Sequence, residues 1–193
     1  MSEQDRLRWD ERWQSRSDVS FKPHPILHKL QELVSDDALV SPKGLALDMA
    51  CGRGQNAIIL AGIGFHVIGV DISQVALDVA SAEALQHGLS GQVRFELVDL
   101  DDFALQPDFY DLICVTRFLD RRLLSEIRTS LKPEGYVVYA TRHLGALKVF
   151  PDAKIDYLLE KEELLDYFSG WQVLHYHEDT VEAELIARKP GPA

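Results

Sequence analysis

The sequence predicts an α/β fold in which a mostly parallel sheet carries helices on both faces and ends in an antiparallel hairpin. Short apolar runs alternate with segments of helical periodicity through the middle of the chain, which is the pattern of repeated strand–helix–strand units. Near the C-terminus, two strand-like runs are joined by only a few residues. Such a short connection requires antiparallel strands, because a parallel pair needs a crossover of a dozen or more residues.

The strands are predicted from short runs that are apolar or alternate at period two. Before the C-terminal region these runs cover 44–48, 66–70, 93–98, 111–115 and 136–140. The hairpin strands cover 171–176 and 184–188, with a tight turn at 178–180. The sheet is therefore expected to be parallel except at the edge that the hairpin forms.

Helices are predicted in the segments between these strands. One covers about 56–63, and another begins after Ser73, which suits an N-cap, and runs to Gln86 with Gly88 as its left-handed stop. Apolar residues at helical spacing predict a third helix that ends at 131, before a turn at 132–135. A further helix is expected near 160–168.

The length of the chain indicates one domain. At 193 residues, with 46% hydrophobic and 26% charged residues, it has ordinary globular composition and enough residues for a proper core. We divide this single domain, 1–193, into an N-terminal helical segment (1–40), a cofactor-binding core (41–141), and a C-terminal helix and hairpin (142–193). The sequence shows no repeat or linker that would separate a second domain.

Charge and cysteine content predict the surroundings and the partners. The net charge is −11, with 31 acidic and 20 basic residues, which disfavours nucleic acid and favours a small-molecule ligand. No apolar run approaches the ~20 residues that span a bilayer, so no membrane association is expected. Cys51 and Cys114 are far apart in the sequence, which indicates reduced thiols and therefore a cytoplasmic protein. The protein is expected to be a monomer or a homodimer.

A glycine-containing turn interrupts the apolar segment LALDMACGRGQNAI, residues 45–58. Gly52 and Gly54 begin a match to the pattern G-x-G-x-x-G/A, which by itself leaves a nicotinamide or flavin cofactor open. No lysine stands at the P-loop position, so a nucleoside triphosphate is disfavoured. The choice between the remaining cofactors depends on the residues around the turn.

Acidic residues follow three of the predicted parallel strands, where ligands of such sheets bind. Asp71 stands where a carboxylate accepts hydrogen bonds from ribose hydroxyls. Asp48 precedes Gly52 by four positions, which disfavours a pyrophosphate and suits a cofactor with an ammonium and a sulfonium. Asp99 and Leu100 would supply an acceptor for an exocyclic amine and an apolar edge for adenine.

Five segments carry a resemblance to a known family. ALDMACGRGQNA, VIGVDIS, FELVDLDD, YDLICV and LKPEGYVVY resemble the motifs of class I S-adenosylmethionine-dependent methyltransferases, over about 44–140. The resemblance implies a doubly wound, Rossmann-like seven-stranded sheet with a reversed last strand, and S-adenosyl-L-methionine as cofactor. The expected cofactor-binding residues are Trp9, Asp48, Ala50, Gly52, Gly54, Asn56, Asp71, Ile72, Asp99, Leu100, Thr116 and Arg117.

A narrower resemblance concerns the two ends of the chain. WDERW, Phe21 and the ending GWQVLHYHEDT…ELIARKP are similar to the tellurite-resistance and thiopurine S-methyltransferase group. This implies that the N-terminal segment is a lid, that Trp9 and Arg117 face the active site, and that Phe21 contacts substrate. The chain departs from these patterns at Ala50, at Gln55 and in TRFLDRRLL, which leaves the substrate open.

The expected reaction is methyl transfer to a small molecule with a soft nucleophile, a thiol or a chalcogen oxyanion. Such a displacement depends on alignment more than on a base, so Arg117, as a fixed positive charge, and His143, as a candidate base, are the expected catalytic residues. A binding protein that senses S-adenosylmethionine without turnover, and a nicotinamide-dependent oxidoreductase, are the alternatives. His175 and His177 share a strand face but have no third ligand at suitable spacing, so no metal is expected.

Overall fold

A computed structural model describes residues 3–15, 21–35 and 44–192 of the chain. Parts of the predicted N-terminal segment 1–40 and the first residues of the predicted core 41–141 lie outside these ranges. Within them, a seven-stranded sheet has the order β3-β2-β1-β4-β5-β7-β6. The strands are β1 (Leu45–Met49), β2 (His66–Asp71), β3 (Val93–Leu97), β4 (Tyr110–Thr116), β5 (Leu131–Arg142), β6 (Gln172–Glu178) and β7 (Glu182–Arg188).

The pairing of the strands confirms the predicted fold class. β1 lies between β2 and β4, and these pairs, like β2–β3 and β4–β5, are parallel. β7 pairs antiparallel with both β5 and β6, which is the reversed hairpin at the end of the sheet. The strand order reverses at β1, so the sheet is doubly wound and has its switch point between β1 and β4.

The helices lie close to the predicted positions. They are α1 (Glu3–Gln14), α2 (Ile26–Ser35), α3 (Gln55–Gly62), α4 (Gln74–Gln86), α5 (Arg121–Ser130) and α6 (Glu163–Tyr167), with 3₁₀ turns at Leu144–Lys148 and Ile155–Tyr157. Ser73 is the N-cap of α4, where its hydroxyl accepts from the Ala76 N–H at 3.2 Å. Gly88 adopts a left-handed φ of 70° after the helix, as predicted.

Two predicted boundaries are wrong. The segment 132–135, predicted as a turn, lies inside β5, where Glu134 has a φ of 66° and the register with β4 shifts between Tyr110 and Leu112. The strand therefore contains an irregularity at this point. Turns and bulges favour the same residues, so the sequence Lys-Pro-Glu-Gly resembles a turn although it forms part of a strand. The helix predicted near 160–168 is the shorter α6.

Two apolar layers cover the two faces of the sheet. Leu47, Ile113 and Tyr139 pack in the layer that contains residues of α5 and α6. Their neighbours along each strand point the other way, into the layer that contains residues of α2, α3 and α4. Both faces are therefore buried, and the carboxyl edge of the sheet remains as the place for a ligand. Across the described ranges, no helix combines the length and apolar character needed to cross a membrane.

Candidate functional site

The site forms at the carboxyl edge of the sheet, where β1 separates β2 from β4. The turn after β1 connects to α3, while the ends of β2 and β4 lie on either side of it. Because helix connections leave β1 and β4 toward opposite faces, a crevice opens between them. The fold thus places the glycine turn at the position where doubly wound sheets bind their ligands.

The turn has a left-handed backbone at three positions. Ala50, Gly52 and Gly54 have φ angles of 52°, 55° and 78°. Glycine adopts such angles without a penalty, whereas alanine is strained there. At Gly54 a β-carbon would lie 2.7 Å from the ring of Phe95 and 2.8 Å from the β-carbon of Ala80, so packing as well as conformation requires glycine.

The open face of Gly52 points toward α1. A β-carbon on Gly52 would lie 3.0 Å from the indole of Trp13. The Gly52 N–H donates to Oδ2 of Asp71 at 2.8 Å. The turn is therefore attached to the end of β2 below, and the aromatic side chain of α1 covers it.

Asp71 fastens two backbone segments together. Its Oδ2 accepts from Gly52, and its Oδ1 accepts from the Ser73 N–H at 2.9 Å. Burial raises the pKa of the Asp71 carboxyl, and the hydrogen bonds from Ser73 and Gly52 oppose that rise. Each oxygen keeps a further lone pair, so the carboxylate can accept additional hydrogen bonds from a ligand.

Asp48 is a fully buried acid for which the described residues supply no counter-ion. It is 0% exposed, and neither carboxylate oxygen accepts a hydrogen bond of normal geometry. Burial raises its pKa to about 8, although the Ala57 N–H and the Cys114 thiol act in the opposite direction. Buried polar groups are nearly always satisfied, so this exception is informative. An acid of this kind beneath a glycine turn fits a positively charged ligand, which stabilises its ionised form, and gains nothing from a pyrophosphate.

The comparison with known families decides the identity of the domain. Residues 46–135 match the family described as "Methyltransferase domain". The chain carries a class I S-adenosylmethionine-dependent methyltransferase domain. Its cofactor is S-adenosyl-L-methionine, as the resemblance implied, rather than the nicotinamide that the glycine pattern alone had left open.

The relatives of this methyltransferase domain act on different acceptors. The ubiquinone biosynthesis O-methyltransferase of Thiobacillus denitrificans is 32% identical over 149 residues, which cover 72% of this chain and 60% of that protein. The ribosomal RNA small subunit methyltransferase C of Alcanivorax borkumensis is 32% identical over 117 residues, 57% of this chain and 36% of that protein. The chain therefore spans between about a third and three-fifths of the length of these curated relatives.

A solved structure extends the likeness to most of the chain. TehB from Haemophilus influenzae has a TM-score of 0.72 at 18% identity, covering 94% of this chain and 67% of that one. At this identity the comparison concerns the fold, and it agrees with the Rossmann-like seven-stranded sheet described above.

Asn56 and Thr116 connect the methyltransferase domain's glycine turn to the end of β4. The Asn56 side-chain amide donates to the Thr116 hydroxyl at 2.7 Å, and its carbonyl oxygen accepts from the His24 N–H at 2.9 Å. Both residues were expected from the sequence as cofactor ligands. The structure brings them together at the switch point, and direct contact with the cofactor stays a prediction.

Arg117 follows β4 in a strained conformation. Its φ is 56°, its N–H donates to the carbonyl of Ala140 at 2.8 Å, and its side chain is 69% exposed. Asp120, three positions further along the chain, binds Arg122. The nearest acid is Glu182, whose Oε1 lies 4.0 Å from Nε of Arg117. The guanidinium therefore projects from the carboxyl edge of the sheet, with Glu182 as a distant counter-ion.

His143 is held by the backbone on both sides of its ring. Nε2 lies 2.8 Å from the Asp179 carbonyl, and Nδ1 accepts from the Gly145 N–H at 3.1 Å. These contacts fix a neutral tautomer and cap the 3₁₀ turn that follows. A role as general base stays a prediction, and it would require the ring to leave these two partners.

The residues expected to contact adenine follow two neighbouring strands, and their contact with the cofactor stays a prediction. Ile72 and Leu100 are buried and follow β2 and β3, which pair with each other. Asp99 accepts from the Asp101 N–H at 2.9 Å and so shapes its own loop. Phe21 is half-buried in the segment before α2, and its contact with substrate stays a prediction.

The sequence reasoning missed two residues of α1 that contact this edge of the sheet, one at the glycine turn and one at the start of α4. Trp13, rather than Trp9, covers Gly52, whereas the ring of Trp9 lies beneath the guanidinium of Arg12 at 4.7 Å. Asp10 accepts from the Ser73 hydroxyl at 2.5 Å and from the Val75 N–H at 3.4 Å, at the start of α4. The motif WDERW pointed to this helix, but not to the side chains that make contact.

Proposed function

We propose that the protein transfers the methyl group of S-adenosyl-L-methionine to a small molecule with a soft nucleophile, either a thiol or a reduced chalcogen oxyanion. The observation that carries the cofactor half is the uncompensated, buried Asp48 beneath the glycine turn. The observation that favours an anionic acceptor is the exposed guanidinium of Arg117 at the same edge. Both observations concern residues that the structure describes.

The cofactor-binding residues would hold the ligand by charge and hydrogen bonding. When bound, S-adenosyl-L-methionine supplies a methyl carbon activated by its sulfonium. Asp48 would compensate the positive charge of that ligand, and Asp71 would accept hydrogen bonds from ribose hydroxyls through its remaining lone pairs. Ile72 and Leu100 would enclose the adenine, with Asp99 accepting from its amino group.

The acceptor side would work through alignment and charge. Arg117 would lower the pKa of an acidic acceptor and thereby increase the fraction of anionic nucleophile. Aligned with the methyl–sulfur bond, the anion would form its bond to the methyl carbon as the bond to sulfur breaks, and the sulfur would leave as a neutral thioether. A thiol loses its proton to solvent before the transfer, so no side chain is required as a base. Trp13 and α1 would exclude water from the aligned pair.

Composition favours a small acceptor over RNA, although a ribosomal RNA methyltransferase is among the relatives. The net charge of −11 opposes the phosphate contacts that dominate RNA affinity. A protein that binds the cofactor without turnover is the remaining alternative. Turnover is the property that distinguishes this sensor from an enzyme.

A screen for S-adenosylhomocysteine production tests the proposal. Thiols, tellurite, selenite, small phenols and total RNA would each be incubated with the protein and S-adenosyl-L-methionine. We expect production with at least one thiol or chalcogen oxyanion, and its loss in Arg117→Ala. Production with RNA or phenols alone would refute the acceptor class. Tight cofactor binding without any turnover would favour the sensor.

A further inference from the structure

A second group of ligating side chains lies beside the acceptor edge, on the sheet face that α2 covers. Glu182 and Glu184 are two positions apart on β7 and therefore share a face. His24, which precedes α2, and His175, on β6, approach them from two other elements. The Nε2 of His24 is 3.2 Å from Oε2 of Glu182, and the Nε2 of His175 is 3.4 Å from Oε2 of Glu184.

We propose that His24, Glu182 and Glu184, with His175 as a fourth ligand, bind one divalent transition-metal ion such as Zn²⁺ or Mn²⁺. One ligand atom from each of the first three residues lies within 4.8 Å of the others. Zinc binds imidazole nitrogen and carboxylate oxygen at about 2.0–2.2 Å, so that ligand atoms of a tetrahedral ion are separated by roughly 3.4 Å. The 3.2 Å and 3.4 Å pairs already have this separation.

The charge and chemistry of the group select the ion. Two carboxylates and two neutral imidazoles carry two negative charges, which a divalent ion neutralises. A mixture of imidazole and carboxylate ligands suits zinc, manganese or ferrous iron rather than calcium, which prefers oxygen alone. No thiol is part of the group, since Cys51 and Cys114 are buried elsewhere, in the cofactor turn and within β4.

The two ring nitrogens of His24 have different partners. Nδ1 accepts a long 3.3 Å hydrogen bond from the Ile26 N–H, which fixes the orientation of the ring. Nε2 faces Oε2 of Glu182 at 3.2 Å and is the nitrogen that would bind the metal.

Arg117, the arginine beside this group, does not block the position of the metal ion. Arg117 approaches Glu182 through Oε1, on the opposite carboxylate oxygen from the one that faces His24. Glu182 can therefore contact the metal through Oε2 and Arg117 through Oε1 at the same time.

The position of the group indicates what the metal would do. His24 is linked through Asn56 to Thr116, at the end of β4, and Glu182 faces Arg117. An ion here would lie beside the acceptor rather than the cofactor, where it could bind an acceptor oxygen or sulfur and lower its pKa. This role rests on the proposed function, whereas binding of the metal does not.

Titration of the chelator-treated protein with Zn²⁺ and Co²⁺, without cofactor or acceptor, tests the site. We expect one ion per chain, and a Co²⁺ spectrum of nitrogen and oxygen ligation without a thiolate charge-transfer band. His24→Ala should weaken binding at least ~10-fold, as loss of a metal contact does. Glu184→Gln, which is isosteric, should act likewise. The matched controls His66→Ala and His87→Ala, on exposed positions elsewhere, should bind the ion as wild type does.

Two results would overturn the metal site. One is the absence of stoichiometric binding in the wild type. The other is unchanged affinity in both His24→Ala and Glu184→Gln, with S-adenosylhomocysteine binding confirming that each variant is folded. Because the titration needs no turnover, failure of the methyl-transfer proposal leaves this result interpretable.

Discussion

The backbone N–H of Gly52 donates a 2.8 Å hydrogen bond to Oδ2 of Asp71, which joins the cofactor turn after β1 to the end of β2. The same carboxylate accepts from Ser73 at the start of α4. One buried acid therefore organises the backbone on both sides of the expected ribose position. This makes Asp71 the first residue to test.

Replacement of Asp71 by alanine should weaken S-adenosylhomocysteine binding strongly. Two hydrogen bonds from ribose to a charged acceptor are lost, each worth ~1.5–3 kcal/mol, so that affinity falls by roughly ten- to several-hundred-fold or more. Isothermal calorimetry measures this, with Asp78→Ala on the exposed face of α4 as the matched control. Wild-type affinity in a folded Asp71→Ala protein would remove the ribose assignment.

Two substitutions in the glycine turn should have opposite effects on stability. Ala50→Gly relieves a left-handed φ of 52°, and after the entropy cost of glycine a gain of about 0.5–1 kcal/mol remains. Gly54→Ala places a β-carbon 2.7 Å from Phe95 and should lose about 1–3 kcal/mol through overpacking. Urea unfolding compares the two variants. A loss of stability in Ala50→Gly would show that this alanine contributes packing that outweighs its strain.

The pKa of Asp48 predicts a pH dependence with a defined sign. Its pKa is 3.8 in an unfolded chain and about 8 in the cofactor-free fold, so the folded state binds the proton more tightly. The stabilising contribution is complete below pH 4 and is lost as the pH rises toward 8, with a slope of at most ~1.4 kcal/mol per pH unit. Asp48→Asn should remove this component of the stability curve. An identical pH profile in the variant would contradict the assignment.

The same acid should release a proton when a cationic ligand binds. At pH 7 the empty site holds Asp48 mostly protonated, and a nearby ammonium or sulfonium lowers its pKa. Calorimetry in buffers of different ionisation enthalpy should therefore detect proton release on binding of S-adenosylhomocysteine. The release should be absent in Asp48→Asn. If both proteins release the same fraction of a proton, another group is responsible.

The contact between Trp13 and Gly52 predicts which tryptophan closes the site. Trp13→Ala should weaken S-adenosylhomocysteine binding more than Trp9→Ala does, because only the Trp13 ring lies on the turn. Deletion of residues 1–20 should weaken both binding and turnover, as expected of a lid. Tighter binding after either change would instead mean that α1 blocks the cofactor position.

Arg117 should affect chemistry without affecting cofactor binding. Arg117→Ala is expected to lower turnover of the best acceptor, while S-adenosylhomocysteine affinity stays within a few-fold of wild type. Such a result means that the guanidinium acts on the acceptor and not on the cofactor. Arg122→Ala is the control, since that exposed arginine pairs with Asp101 and Asp120. Undiminished turnover in Arg117→Ala would exclude the guanidinium from the acceptor site.

The predictable part of the structure is local in sequence. Strand periodicity, the Ser73 cap and the acids at the carboxyl ends of β1, β2 and β3 each depend on neighbouring residues, and the switch-point rule then brings them to one edge. The turn predicted at 132–135 failed for a local reason as well. A bulge with a positive φ at Glu134 uses the same residues as a turn.

The unpredicted part consists of contacts between distant segments. His24 and Glu182 are separated by 158 positions, and nothing in either local sequence indicates that they meet. The position of Trp13 over Gly52 depends on how α1 packs, and both tryptophans of WDERW share a helix face. Sequence pattern identified the helix, but tertiary packing selects the residue.

Calorimetric titration of the purified protein with S-adenosylhomocysteine, and in parallel with NAD, tests the central claim most directly. The account predicts one S-adenosylhomocysteine bound per chain and no appreciable binding of NAD, because the buried Asp48 carboxyl beneath the turn lacks a partner and is stabilised in its ionised form by a cationic ligand, not by a pyrophosphate. Binding of NAD with comparable affinity, or no binding of S-adenosylhomocysteine, would contradict the assignment of this edge as the methyl-donor site.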